Sequence, residues 1–117
     1  MSGKIFLVHW NEKQAEERAN ILRSWGWEVE VEAEDGARAC RTIKAQSPKA
    51  VVIYLTRLPS HGRETARHLR TLKATNQIPI IFVDGDEAAV QKTKTKIQDA
   101  SYTSSEDLEF ILDKYAN

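Results

Sequence analysis

One cysteine, Cys40, is all the sequence contains, so it can form no internal disulfide and assemble no thiolate metal cluster. Such usage fits a reducing compartment, and the cytoplasm is the expected location. No run of residues approaches the roughly 18 to 20 consecutive apolar positions that a membrane span needs. The short apolar start, Ile5 to Val8, lacks the basic flank and the length of a signal peptide. Three prolines and five glycines in 117 residues leave no linker and no low-complexity tract, and the length suits one core. A single domain over residues 1–117 is expected, with no output domain. Glycine-rich phosphate loops, the nucleophile elbow and zinc-ligand spacing are all missing, which removes the common nucleotide, hydrolase and zinc chemistries. No cofactor and no enzymatic activity are expected.

Net charge is also missing, at 17 basic against 17 acidic residues, but the balance hides a division. Residues 37–75 hold nine Lys or Arg and one acid, Glu64, while the rest holds eight basic and sixteen acidic residues. A polarised molecule follows.

What is present alternates in type. Lys4 to Val8 and Ala50 to Leu55 are apolar runs suited to strands buried on both faces. Ile78 to Val83 is a third such run, with Pro79 near its start, where a missing N–H does little harm. Trp27, Val29, Val31 and Ala33 alternate with Glu28, Glu30, Glu32 and Glu34, the pattern of an edge strand with one wet face. Between these runs lie helical segments. Asn11 with Gln14 opens the first, which places Ala15, Ala19 and Leu22 inward, and Gly26 ends it. Asp35-Gly36 precedes a helix from Ala37 to Gln46, and a basic helix with Ala66, Leu69 and Leu72 inward follows Pro59 and Gly62. A fourth helix runs from about Glu87 to Lys94, with Asp84 as its expected cap. The fifth strand lies somewhere within Ile97 to Thr103, and Ser104 with Asp107 caps a last helix that places Leu108, Ile111, Leu112 and Tyr115 on one stripe. Strand and helix alternating five times predict an α/β (βα)5 fold, a parallel sheet with helices on both faces.

In these runs, in Glu34-Asp35-Gly36-Ala37, and in Leu58-Pro59 with Gly62, the chain resembles the receiver domains of response regulators, from about Lys4 to Tyr115. The resemblance implies a flavodoxin-like, doubly wound sheet of strand order 2-1-3-4-5, with its functional pocket at the carboxyl ends of strands 1, 3 and 4. Receivers hold Mg²⁺ with an acid pair after strand 1 and accept phosphoryl on an Asp at the end of strand 3. A Thr or Ser after strand 4 and a Lys after strand 5 complete the site. On this sequence the acid pair falls on His9 and Trp10, the acceptor on Leu55 and the Thr/Ser on Asp84. The Lys falls on Ser101 or Ser105, depending on how the fifth strand is aligned, and the loop from Pro59 to Gly62 is one residue shorter than the usual pattern. A leucine has no nucleophilic atom, and an imidazole beside an indole does not replace two carboxylates around a hard cation. No Asp or Glu occurs from Lys49 through His61, so a shifted alignment brings no rescue. The sequence therefore reads as a degenerate pseudo-receiver: a phosphorylation-independent interaction module of a bacterial two-component-like system, with no Mg²⁺ expected. The alternative is a small-ligand or nucleotide-binding domain that uses the strand-end crevice, with Trp10 and Asp84 as contacts.

Other features have plainer explanations beside functional ones. Glu12, Asp84, Asp86 and Glu87 suggest a different cation site or, more simply, helix N-terminal acids. His9 either pairs with Asp84 or packs under Trp10, and His61 and His68 are expected to face water. Helices 2, 3 and 4 share one face of the sheet, so Arg38, Arg41, Arg63, Arg67 and Arg70 are candidates for a continuous basic surface. That surface is either solvated without a partner or takes an acidic protein partner, self-association of opposite faces included. Nucleic acid is disfavoured because no aromatics interleave with the basic residues, and membrane contact is not expected.

Overall fold

The computed structural model describes residues 3–116; Met1, Ser2 and Asn117 of the expected 1–117 domain lie outside them. Strands β1 (Gly3–Val8), β2 (Trp27–Glu32), β3 (Ala50–Tyr54), β4 (Ile80–Val83) and β5 (Ser101–Thr103) alternate with five helices. These are α1 (Glu12–Ser24), α2 (Gly36–Gln46), α3 (Pro59–Thr71), α4 (Glu87–Lys96) and α5 (Leu108–Leu112), the last followed by a 3₁₀ turn, Asp113–Tyr115. All strand pairs are parallel, in the order β2-β1-β3-β4-β5. Residues with period-two side-chain direction divide the core in two. Phe6 and Val8 join Val51, Ile53 and Phe82 under α2 and α3, while Ile5 and Leu7 join Val52, Ile81 and Val83 under α1 and α5. The expected single α/β domain, its strand order and the grouping of its helices are as observed.

The differences from the sequence pattern are local. Strand β4 starts at Ile80 because Pro79 has no N–H to give the ladder, although its carbonyl accepts from Val51 N at 2.9 Å. Helix α4 runs two residues further than expected, to Lys96, and buries only Thr93. Asp84 does not cap it; Asp86 does, accepting from Ala89 N at 2.8 Å. The last α-helix starts with its apolar stripe at Leu108, after a turn in which the Ser104 hydroxyl accepts from Asp107 N, but is shorter than the stripe because the chain tightens into the 3₁₀ turn that holds Tyr115. The wet face of β2 has one exception. Glu32 is buried and accepts from Arg38 Nε and Nη2 at 2.7 and 2.8 Å and from the Glu34 and Asp35 amides at 2.9 Å each.

Candidate functional site

In a parallel sheet all strands end on the same side, and the register brings Val8 beside Ile53 and Tyr54 beside Val83. The next residues therefore meet: Leu55 N donates to Val83 O, His9 N to Glu32 O and Asp84 N to Thr103 O. His9, Trp10, Leu55 and Asp84 are thus brought to one end of the sheet. Ser101 is not. It opens β5 beside Ile81 and lies at the opposite end, next to Arg70 and Pro79. Ser105 occupies the strand-end place instead, donating its amide to Asp84 Oδ1 at 2.8 Å and its hydroxyl to Asp84 Oδ2 in a very short contact.

Leu55 is 2% exposed and belongs to the core beneath Trp10. Two glycines seal it. A Cβ on Gly85, whose φ is +101°, would lie 2.7 Å from Leu55 Cβ, and a Cβ on Gly62 in α3 would lie 2.8 Å from Ile53. The backbone can come this close only because neither residue has a side chain. Leu55 itself is closed off, and Trp10, 6% exposed, is packed in the same core cluster with one edge lining a groove between α2 and α3.

His9 follows neither expectation. Consecutive residues point to opposite faces, so Trp10 turns toward α2 and α3 while His9 turns toward Tyr54, with ring centroids 5.1 Å apart. It neither packs under Trp10 nor hydrogen-bonds Asp84. Its Nε2 is 3.5 Å from the Thr56 hydroxyl and its Nδ1 has no partner. Burial pushes its pKa below the ordinary 6.5, and the Arg18 and Arg57 guanidiniums push in the same direction. Arg18 also lies over the Tyr54 ring, 5.9 Å from its centroid. Burial raises the Tyr54 phenol to about 12, with Arg18 opposing and Asp84 assisting.

The surroundings of His9 are therefore neutral to cationic where a Mg²⁺ site must be anionic. Of His9, Trp10, Leu55 and Asp84 only Asp84 is acidic, and it is committed to Ser105. These residues do not fit a hard cation, and among the described residues no group of three His, Cys, Asp or Glu is placed to hold a metal, Glu12, Asp84, Asp86 and Glu87 included. Arg18, Arg57 and Thr56 were not singled out from sequence. The acid-free tract around Leu55 was the available signal.

The basic surface is dismantled by intramolecular contacts. Arg38 is bound to Glu32; Arg63 is 8% exposed and donates to Thr93 Oγ1 at 3.2 Å. Arg70 donates to the carbonyls of Asn76, Ile78 and Asp99 and pairs with the Asp99 carboxylate at 3.5 Å. Arg67 pairs with Glu64 in water, and of the five Arg41 and Arg63 have no ion pair among the described residues. His61 and His68 are exposed, as expected.

No family model and no curated protein matches the sequence. Solved structures do. The receiver domain of a Pseudomonas aeruginosa sensor histidine kinase, which has a magnesium ion coordinated in its active-site cleft, superposes with a TM-score of 0.77 at 25% identity over 98% of both chains. A protein of Chloroflexus aurantiacus described as a response regulator gives 0.80 at 20% identity over 98% of both. Vibrio cholerae chemotaxis protein CheY4 gives 0.77 at 17% identity, over 98% of this chain and 99% of that one. The chain has the receiver fold. His9, Trp10, Leu55 and Asp84, which the sequence resemblance aligns with the acid pair, the acceptor and the Thr/Ser, stand together at the strand ends, with Ser105 beside Asp84. No helix of this receiver-fold domain, among the described residues, is long and apolar enough to cross a membrane.

Proposed function

We propose that this receiver-fold domain is a phosphorylation-independent protein-interaction module of a two-component-like signalling system. It accepts no phosphoryl group, holds no Mg²⁺ and catalyses no reaction; its partner is a protein. The observation that carries this is Leu55, an apolar side chain sealed by Gly62 and Gly85 at the position where phosphoryl transfer needs a carboxylate. The neighbouring His9, Arg18 and Arg57 support it, since a cation-dependent transfer would have to begin in a positive field. Incubation with acetyl phosphate and millimolar Mg²⁺ is expected to give no hydroxylamine-sensitive phosphate. Mg²⁺ alone should leave the melting temperature unchanged, because a ligand bound only to the folded state must raise it. A stoichiometric acyl phosphate would overturn the reading.

A further inference from the structure

Beside the strand-end residue Trp10, helices α2 and α3 leave between them a groove of about 520 Å³. One face of α3 forms a wall, with His61, Glu64, Thr65 and His68 at helical spacing. Gly36, Ala37 and Cys40 form the other wall, Glu34 and Asp35 stand at its mouth, and the Trp10 ring, edge-on to His61 at 5.8 Å, is the floor. A Cβ on Gly36 would reach within 3.0 Å of Thr65 Oγ1, so the glycine keeps the groove open at that point.

The charge here is opposite to that of the surrounding segment. Helices α2 and α3 are rich in arginine, yet no Lys or Arg lines the groove, because Arg38 turns to Glu32, Arg63 to α4 and Arg70 to the far end of the sheet. What remains is three carboxylates, Glu34, Asp35 and Glu64, around aromatic rings. Glu64 is shared on one side with exposed Arg67. The positive end of α2, which would otherwise attract an anion, is occupied by the Asp35 carboxylate, which accepts from the Ala37 and Arg38 amides. The floor is the ring and not its N–H: Trp10 is 6% exposed, its Nε1 lies on the Gly62 side, and the opposite ring edge, at Cη2, faces Gly36 in the groove wall.

Carboxylates around aromatic rings suit a cation, and the lining carries no Lys or Arg of its own. We propose that the α2–α3 groove docks an arginine- or lysine-bearing segment of the protein partner, with the cation between Glu34 and Glu64 beside the Trp10 and His61 rings. This deepens the interaction-module reading and rests on it for the nature of the partner.

The test is an NMR titration of the whole ¹⁵N-labelled chain with N-acetyl-Gly-Arg-Gly-amide, and with the same peptide carrying glutamate or norleucine in place of arginine. The Trp10 indole signal, assigned by its loss in Trp10→Phe, and amides of residues 36–40 and 61–68 are expected to shift saturably with the arginine peptide alone. In Glu34→Gln/Glu64→Gln, both exposed positions, the apparent affinity should drop about five- to tenfold. No saturable shift, an equal response to norleucine or glutamate, or an unchanged affinity in the double variant would overturn the groove assignment. The two readings fail separately. Peptide binding by a chain that also forms an acyl phosphate removes phosphorylation independence and leaves the groove, whereas no acyl phosphate and no peptide response removes the groove alone.

Discussion

Leu55 has no nucleophilic atom and almost no exposed surface, packed as it is against Gly85 and beside Gly62. Leu55→Asp is therefore expected to lose stability on the order of 3 kcal/mol in urea unfolding, since the carboxylate would be buried without a cation or lysine. It should also gain no phosphorylation with acetyl phosphate. A variant that is neutral in stability and accepts phosphoryl would mean that a single residue, rather than the whole constellation, was lost. Gly85→Ala tests the seal itself. A Cβ there meets Leu55 Cβ at 2.7 Å from a backbone with φ of +101°, and a loss of about 2 kcal/mol or more is expected in the same assay. Glu32 shows what a residue pattern hides. Its place in the alternation of β2 marks it as solvent-facing, but Asp35 and Arg38 at the start of α2 fold back over it. No sequence period encodes that.

At the scale of elements, α4 buries fewer residues than any other of the five α-helices. Its one buried residue is Thr93, and the Thr93 hydroxyl is held by Arg63 from α3. Arg63→Ala is expected to speed amide exchange throughout residues 87–96 while leaving β1 and β3 protected, because the helix has little apolar contact to hold it in place of that bond. Uniform loss of protection across the sheet would show that Arg63 supports the global fold instead. The same contact explains why the basic surface failed as a sequence inference. Helical spacing correctly places Arg63 and Arg70 on α3, but a guanidinium on a long stem reaches carbonyls and hydroxyls of neighbouring elements, and those partners lie 30 and 29 residues away in the chain. Charge reversal at Arg63 or Arg70 would for that reason damage the fold. Reversal at Arg41 and Arg67, both exposed, leaves it intact and is the better probe of a surface effect.

For the whole molecule, three buried groups define a dome of stability against pH. Tyr54 has a folded pKa raised to about 12 from 10, so its contribution is complete below pH 10 and lost as pH rises toward 12. His9 is lowered from 6.5, so its contribution is complete above that value and declines as pH falls below it. Glu32 is lowered from 4.5 to about 2, mainly by its bond to Arg38, and its contribution, on the order of 2 kcal/mol, is lost between those values. Urea midpoints measured from pH 3 to 11 should trace this shape, His9→Gln should flatten the decline that begins near 6.5, and Glu32→Gln the one that begins near 4.5. An acid limb unchanged by both variants would assign it to other carboxylates. The sequence by itself determined the five alternations of strand and helix, the two-sided core and the absence of any acid from Lys49 through His61, because side-chain period and residue chemistry are local properties of the chain. The tertiary structure alone decided that His9 faces Tyr54 and not Trp10, that Ser105 and not Ser101 meets Asp84, and that Arg63 and Arg70 are drawn against other elements beside an acidic groove. Each of those depends on strand register and on side-chain reach across elements distant in sequence, which no period within the chain records.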